Sequence, residues 1–134
     1  MDIKNASLKR QAQLKKSIEL SKETAYEIAA YLDQKKAIDI TIIDIFDQSI
    51  IADFFVVCSA KSTTAVKALS DHIDEKLSKK GIEPKARDID PKWAAIDYNG
   101  VILHIFYEET RSVFKLEKLW DNGQNIKIYQ PAEE

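Results

Sequence analysis

A cysteine, a histidine and an aspartate are what a small protein uses to build a nucleophile, a base and an orienting acid. Cys58, His104 and Asp97 are the candidates, drawn from one cysteine and two histidines in the chain. The neighbourhood of Cys58 argues against the role. It sits in FFVVCSA, an apolar run where a thiol is an inert filler rather than a thiolate. His72 and His104 have no further ligands at metal spacing, so no zinc is expected. Asp44 and Asp47 are not the alternating pair on one strand face that a two-metal phosphoryl site would use. The segment CSAKSTT could hold an anion on free N–H groups at a helix start, but it has no glycine to let the backbone approach a phosphate. Helix capping explains it instead. No catalytic residue, metal or cofactor is expected, and the residues make no positive case for an enzyme.

Periodicity sets the elements that carry these residues. Residues 1–16 are polar and Lys/Gln-rich and read as an extension outside the core, a frayed helix at most. The domain spans 17–129 and a loose tail spans 130–134. Ile18, Ala25, Ile28, Ala29 and Leu32 recur at helical spacing, and that helix runs out near Lys35-Lys36. DITIIDI (39–45) and FFVVCSA (54–60) read as buried strands joined by FDQSIIAD. KSTT opens a helix capped by Ser62 or Thr63, with Val66, Leu69, Ile73 and Leu77 as its apolar stripe. Gly81 ends it, with Ile82 placed for the contact that accompanies such caps. EPKARDIDPK (83–92) reads as a charged, Pro-bearing connection. WAAIDY-NG-VILHIF reads as a hairpin, EETRSVFKLEKLW as a final helix and IKIY as an edge strand. The order αββα-ββα implies an α/β fold, α+β-like, with one mixed sheet of about five strands and helices packed on it.

A two-residue Asn99-Gly100 turn fixes the hairpin register, with Tyr98 opposite Val101 and Trp93 opposite Phe106. One face then carries Ala94, Ile96, Tyr98, Val101, Leu103 and Ile105, a plain core face. The other carries Trp93, Ala95, Asp97, Ile102, His104 and Phe106, which mixes two aromatics with a carboxylate and an imidazole. Two readings fit this second face. It is a partly covered layer with Asp97 and His104 hydrogen-bonded to each other, or it is a partner surface with aromatic anchors and a polar rim. In the final helix Val113, Leu116 and Trp120 share one side, while Phe114, Glu117 and Lys118 lie on a neighbouring one. Such a helix is either wedged into the core or docked on something else.

Composition narrows the partner. The chain has 134 residues, 45% hydrophobic and 31% charged, with net charge -2, room for one domain and one core. No apolar run approaches the roughly 20 residues of a membrane helix. One cysteine suits a reducing compartment, so a bacterial cytoplasmic location is expected. The lysines of the first 16 residues come with a single arginine, which does not favour an organellar transit peptide. Neither DNA nor a membrane is an expected partner, and a basic protein suits this charge better than naked nucleic acid.

The runs ADFFVVCSA, WAAIDY, VILHIF and above all EETRSVFKLEKLW resemble the ribosomal silencing factor family, the Iojap-like proteins, over roughly residues 20–121. The resemblance is carried most specifically by Arg111, by the run from Phe114 to Trp120, and by Trp93 and Asp97. It implies a nucleotidyltransferase-like topology without that fold's catalytic motif. It also implies binding to the fourteenth universal protein of the large ribosomal subunit, where the bound factor sterically blocks joining of the small subunit. Its partner-binding surface would combine Trp93, Asp97, His104, Phe106, Phe114, Glu117, Lys118 and Trp120. The chain departs from the family pattern at Ala60, where glycine is common, at Thr64-Ala65 in place of Arg-His, and at Asn99-Gly100 in place of Gly-Asp. Three alternatives stay open: an assembly factor touching RNA through the lysines of residues 4–36, a nucleotide-binding enzyme, and a homodimer that covers the apolar patch.

Overall fold

The Asn-Gly turn is where the fold is most tightly specified. In the computed structural model, which describes residues 2–131, Asn99 and Gly100 have φ of 64° and 82°, the paired positive angles of a type I′ turn. The Tyr98 N–H donates to the Val101 carbonyl at 2.8 Å. Gly100 also lies against the first helix, where a Cβ would collide with Ser21 Oγ. The flanking strands β4 (Trp93–Asp97) and β5 (Val101–Tyr107) pair in the register expected, Trp93 opposite Phe106 and Asp97 opposite Ile102.

Helix α1 (Ile3–Gln34) leads into β1 (Ile38–Asp44), which turns back antiparallel onto β2 (Phe54–Ala60). Helix α2 (Thr63–Ser78) starts with Ser62 accepting from the Ala65 N–H at 3.0 Å and ends at Gly81, φ 79°. The Ile82 N–H closes that end on the Leu77 carbonyl at 2.9 Å. Strand β2 runs parallel to β5, so the sheet is mixed. A strand β3 (Ala86–Asp90) and a three-residue β6 (Ile126–Ile128) form the two edges, giving the order β3-β4-β5-β2-β1-β6.

The described residues form six strands, one more than the pattern counts, and β3 is the addition. Within the segment read as a charged connection (83–92), residues 86–90 pair with β4. All five are exposed, so β3 has no buried face to leave an alternating pattern. Its charges suit an edge that must not recruit another strand. An ion pair from Arg87 to Asp74 (2.9 Å) and a hydrogen bond from the Tyr98 hydroxyl to the same carboxylate tie this edge to α2.

One sheet face packs against α1 and α2. Ala25, Ile28, Ala29 and Leu32 of α1 meet Ile42, Val56, Leu103 and Ile105 of the sheet, with Ile73 and Leu77 of α2 beside them, all buried. Burial of each large aliphatic group contributes roughly 2 kcal/mol. The extension of residues 1–16 is not frayed where it is described. It is the first half of α1, capped by Asp2, which accepts from the Lys4 N–H at 3.0 Å, and it leaves Ile3, Leu8 and Leu14 exposed. Of the C-terminal tail, residues 132–134 lie outside the described residues.

Candidate functional site

The opposite sheet face is covered only in part. Ile43, Ile45, Phe55, Val57 and Phe106 are buried there under Leu116, with Trp93, Ile102 and Trp120 half-buried at the margin. The cover comes from α3 (Glu108–Phe114) and α4 (Leu116–Trp120), expected as one helix. Lys115 separates them with φ 49° and ψ 48°, a left-handed conformation. The break changes which side chains share a side. Leu116 turns inward, whereas Val113 is 76% exposed and Phe114 is 53% exposed. The single stripe of Val113, Leu116 and Trp120 is therefore not formed, because a residue outside helical geometry resets the phase between them.

Arg111 holds this arrangement. Its Nε donates to Glu117 at 2.8 Å, bridging α3 and α4. Nη1 donates to the Asp39 carbonyl at 2.7 Å and to Ser59 Oγ at 3.0 Å, and Nη2 donates to Thr41 Oγ1 at 3.1 Å. One planar guanidinium thus joins both short helices to β1 and β2.

Trp93 is the centre of the aromatic packing. Its ring lies 4.8 Å from Phe106 and 5.0 Å from Phe114, and its indole N–H donates to His104 Nδ1 at 3.1 Å. The Asp97–His104 hydrogen bond of the covered-layer reading is not formed. His104 Nδ1 is taken by Trp93, and Asp97 Oδ1 accepts from the Asn99 N–H at 2.8 Å, bracing the turn. With Nδ1 accepting, the imidazole proton belongs on Nε2, which is buried without a partner. Burial pushes the His104 pKa down to about 4, so the ring is neutral near pH 7. On its far side Phe55 packs edge-on at 4.7 Å, and Phe55 in turn meets Trp120 at 5.4 Å.

Between β3–β4 and α3 lies an open groove of about 590 Å³. Trp93, Ala95, Val113 and Phe114 form its apolar lining; Asp88, Asp90 and Glu109 line it as acids beside Lys92. Of the eight expected site residues, Trp93 and Phe114 face this groove. His104 and Phe106 lie beneath it, buried. Asp97 braces the turn, Glu117 is held by Arg111, Lys118 is exposed beside Arg111 in a neighbouring hollow, and Trp120 is half-buried against Phe55. The groove acids Asp88 and Asp90 were missed because they sit on the strand that had no readable pattern. Arg111 was part of the terminal motif, but nothing in its spacing told of partners about 70 residues earlier.

The nucleophile reading fails on geometry. Cys58 packs on the α1–α2 face and His104 on the other, and burial raises the thiol to about 12. Among the described residues, no helix is long and apolar enough to cross a membrane.

The sequence profile of a family described as "Ribosomal silencing factor during starvation" matches residues 18–134. The ribosomal silencing factor RsfS of Bacillus subtilis is 34% identical over 97 residues, spanning 71% of this chain and 82% of that protein. A mouse protein named for mitochondrial assembly of the ribosomal large subunit is 27% identical over 99 residues, 69% of this chain and 43% of its own length. A crystal structure of a Chromobacterium violaceum protein has the same fold, with a TM-score of 0.69 at 24% identity, covering 86% of this chain and 94% of that one. With the profile covering nearly the whole sheet-and-helix domain, the chain belongs to the ribosomal silencing factor family, which associates with ribosomes and silences them.

Proposed function

We propose that this protein binds the large ribosomal subunit through its fourteenth universal protein and, once bound, sterically blocks joining of the small subunit. The groove beside Trp93 carries the reading. It pairs an exposed apolar lining with three carboxylates, the chemistry that receives a basic ribosomal protein. Trp93 and Phe114 supply apolar contact, and Asp88, Asp90 and Glu109 steer the partner. His104 and Phe106 act from beneath by fixing the indole. No step of turnover is needed, because a rigid domain overlapping the small subunit's position is enough to prevent joining.

Sedimentation with isolated subunits tests this. The protein is expected to pellet with large subunits and not with small ones, and to lower the yield of joined particles. Trp93→Ala should weaken binding by about 2 kcal/mol, roughly thirty-fold, while remaining folded. Unchanged affinity in a folded Trp93→Ala variant would remove the groove from the interface. Absence of large-subunit binding by the wild-type chain would remove the function.

A further inference from the structure

The charge of this molecule is divided between two parts. Residues 2–16 carry Lys4, Lys9, Arg10, Lys15 and Lys16 against the single acid Asp2. That leaves +4 on residues 2–16, and the remainder must carry -6 to give the chain's net -2. The positive part is a rod. It is continuous helix with the packed half of α1, and almost every residue before Ile18 is exposed. At about 1.5 Å per residue its 15 residues from Ile3 to Ser17 extend roughly 22 Å. The family match begins at residue 18, where the rod ends, so the shared domain does not account for it.

We infer that this rod is an RNA-binding arm that lies along the phosphate backbone of a ribosomal RNA duplex when the domain docks. The inference rests on the large-subunit reading above and adds a second point of attachment to it.

The arrangement of charge favours RNA over the other polyanions. At about 3.6 residues per turn, Lys4, Lys15 and Lys22 form one row, Lys9 and Lys16 a second, and Leu8 lies between them. Two cationic rows fit a backbone that presents phosphate at regular intervals. A lipid surface would require an apolar face beside the charged one. Here only Ile3 and Leu14 share a side, with Arg10 beside them, and Leu8 lies among the cations on another, so the apolar groups do not join into one wide face. Within the helix the first turn carries no acid, and Lys4 there faces the positive end of the helix dipole, met only by the Asp2 cap. A polyanion relieves that opposition and the mutual repulsion of the cations.

The test uses the full chain and a variant with Lys4→Gln, Lys9→Gln, Arg10→Gln, Lys15→Gln and Lys16→Gln, changes that keep helix propensity. Binding to isolated large subunits is measured from about 50 to about 200 mM salt. With about three cations engaged at once, neutralisation should lower the slope of log affinity against log salt by about 3. Affinity should fall at least ten-fold near the middle of that range. Trp93→Ala should instead weaken binding without altering the slope. A benzophenone amino acid replacing Leu8 should crosslink to RNA. If wild type and the neutralised variant bind with equal affinity and slope, the arm is overturned and the docking reading stands. If crosslinking from position 8 captures a protein, the arm is a protein contact and the inference is wrong. If the wild-type chain binds no large subunit, both fall together.

Discussion

His104 is a histidine whose use is to stay uncharged. Its Nδ1 receives the Trp93 indole only in the neutral form, and protonation would place a cation among Phe55, Trp93 and Phe106. The unfolded chain takes up this proton near pH 6.5, the folded one not until about 4. Between those values the unfolded state holds more protons, so stability falls as the pH falls through that window. The loss attributable to His104 should reach about 3 kcal/mol by the lower end. His104→Gln keeps an acceptor for the indole and removes the titration. Urea midpoints for both proteins should therefore converge as the pH drops from about 6.5 to about 4. A difference that stays constant with pH would show that His104 does not titrate as its burial requires. The sequence revealed that this histidine faces away from the main core, because strand alternation fixes that. It did not reveal its partner: the one hydrogen bond considered was to Asp97, and the Trp93 indole on the same face takes that place.

The two short helices show what periodicity can and cannot convey about an element. Helical spacing identified the segment, yet one left-handed residue, Lys115, divides it and directs Phe114 outward and Leu116 inward. A lysine gives no warning of such a conformation, which glycine or asparagine would adopt more readily. Strand β3 was illegible for the opposite reason: all its residues are wet, so no contrast exists between its faces. Strand β4, which alternates between buried and half-buried residues, and its partner β5 were read correctly down to register. What maintains the α3–α4 geometry is Arg111, and its fork is not replaceable by a single ammonium. Arg111→Lys should leave some of Glu117, Asp39 O, Ser59 and Thr41 without their donor and cost about 2 kcal/mol, seen as a lower urea midpoint. The same variant should bind large subunits more weakly, because Phe114 is carried by the helix that loses its anchor. Full stability in Arg111→Lys would mean that packing of Leu116 alone holds the two helices.

At the scale of the whole molecule, the chain combines an acidic domain with a basic rod. Net charge alone argued against nucleic acid as a partner, because -2 conceals +4 on one part and -6 on the other. A protein divided in this way can address two partners of opposite character on one particle. The face that carries the groove also contains both tryptophans of the chain, Trp93 at its floor and Trp120 against Phe55. The protein thus has a built-in optical reporter. Every ultraviolet-excited indole photon comes from this one side of the sheet, with no background from the helical core opposite. Docking at the groove should dry the half-exposed Trp93 and shift emission to shorter wavelength, without any label. Engagement of the arm alone should leave the spectrum as it was. A single emission scan during titration would then tell which end of the molecule has found its partner.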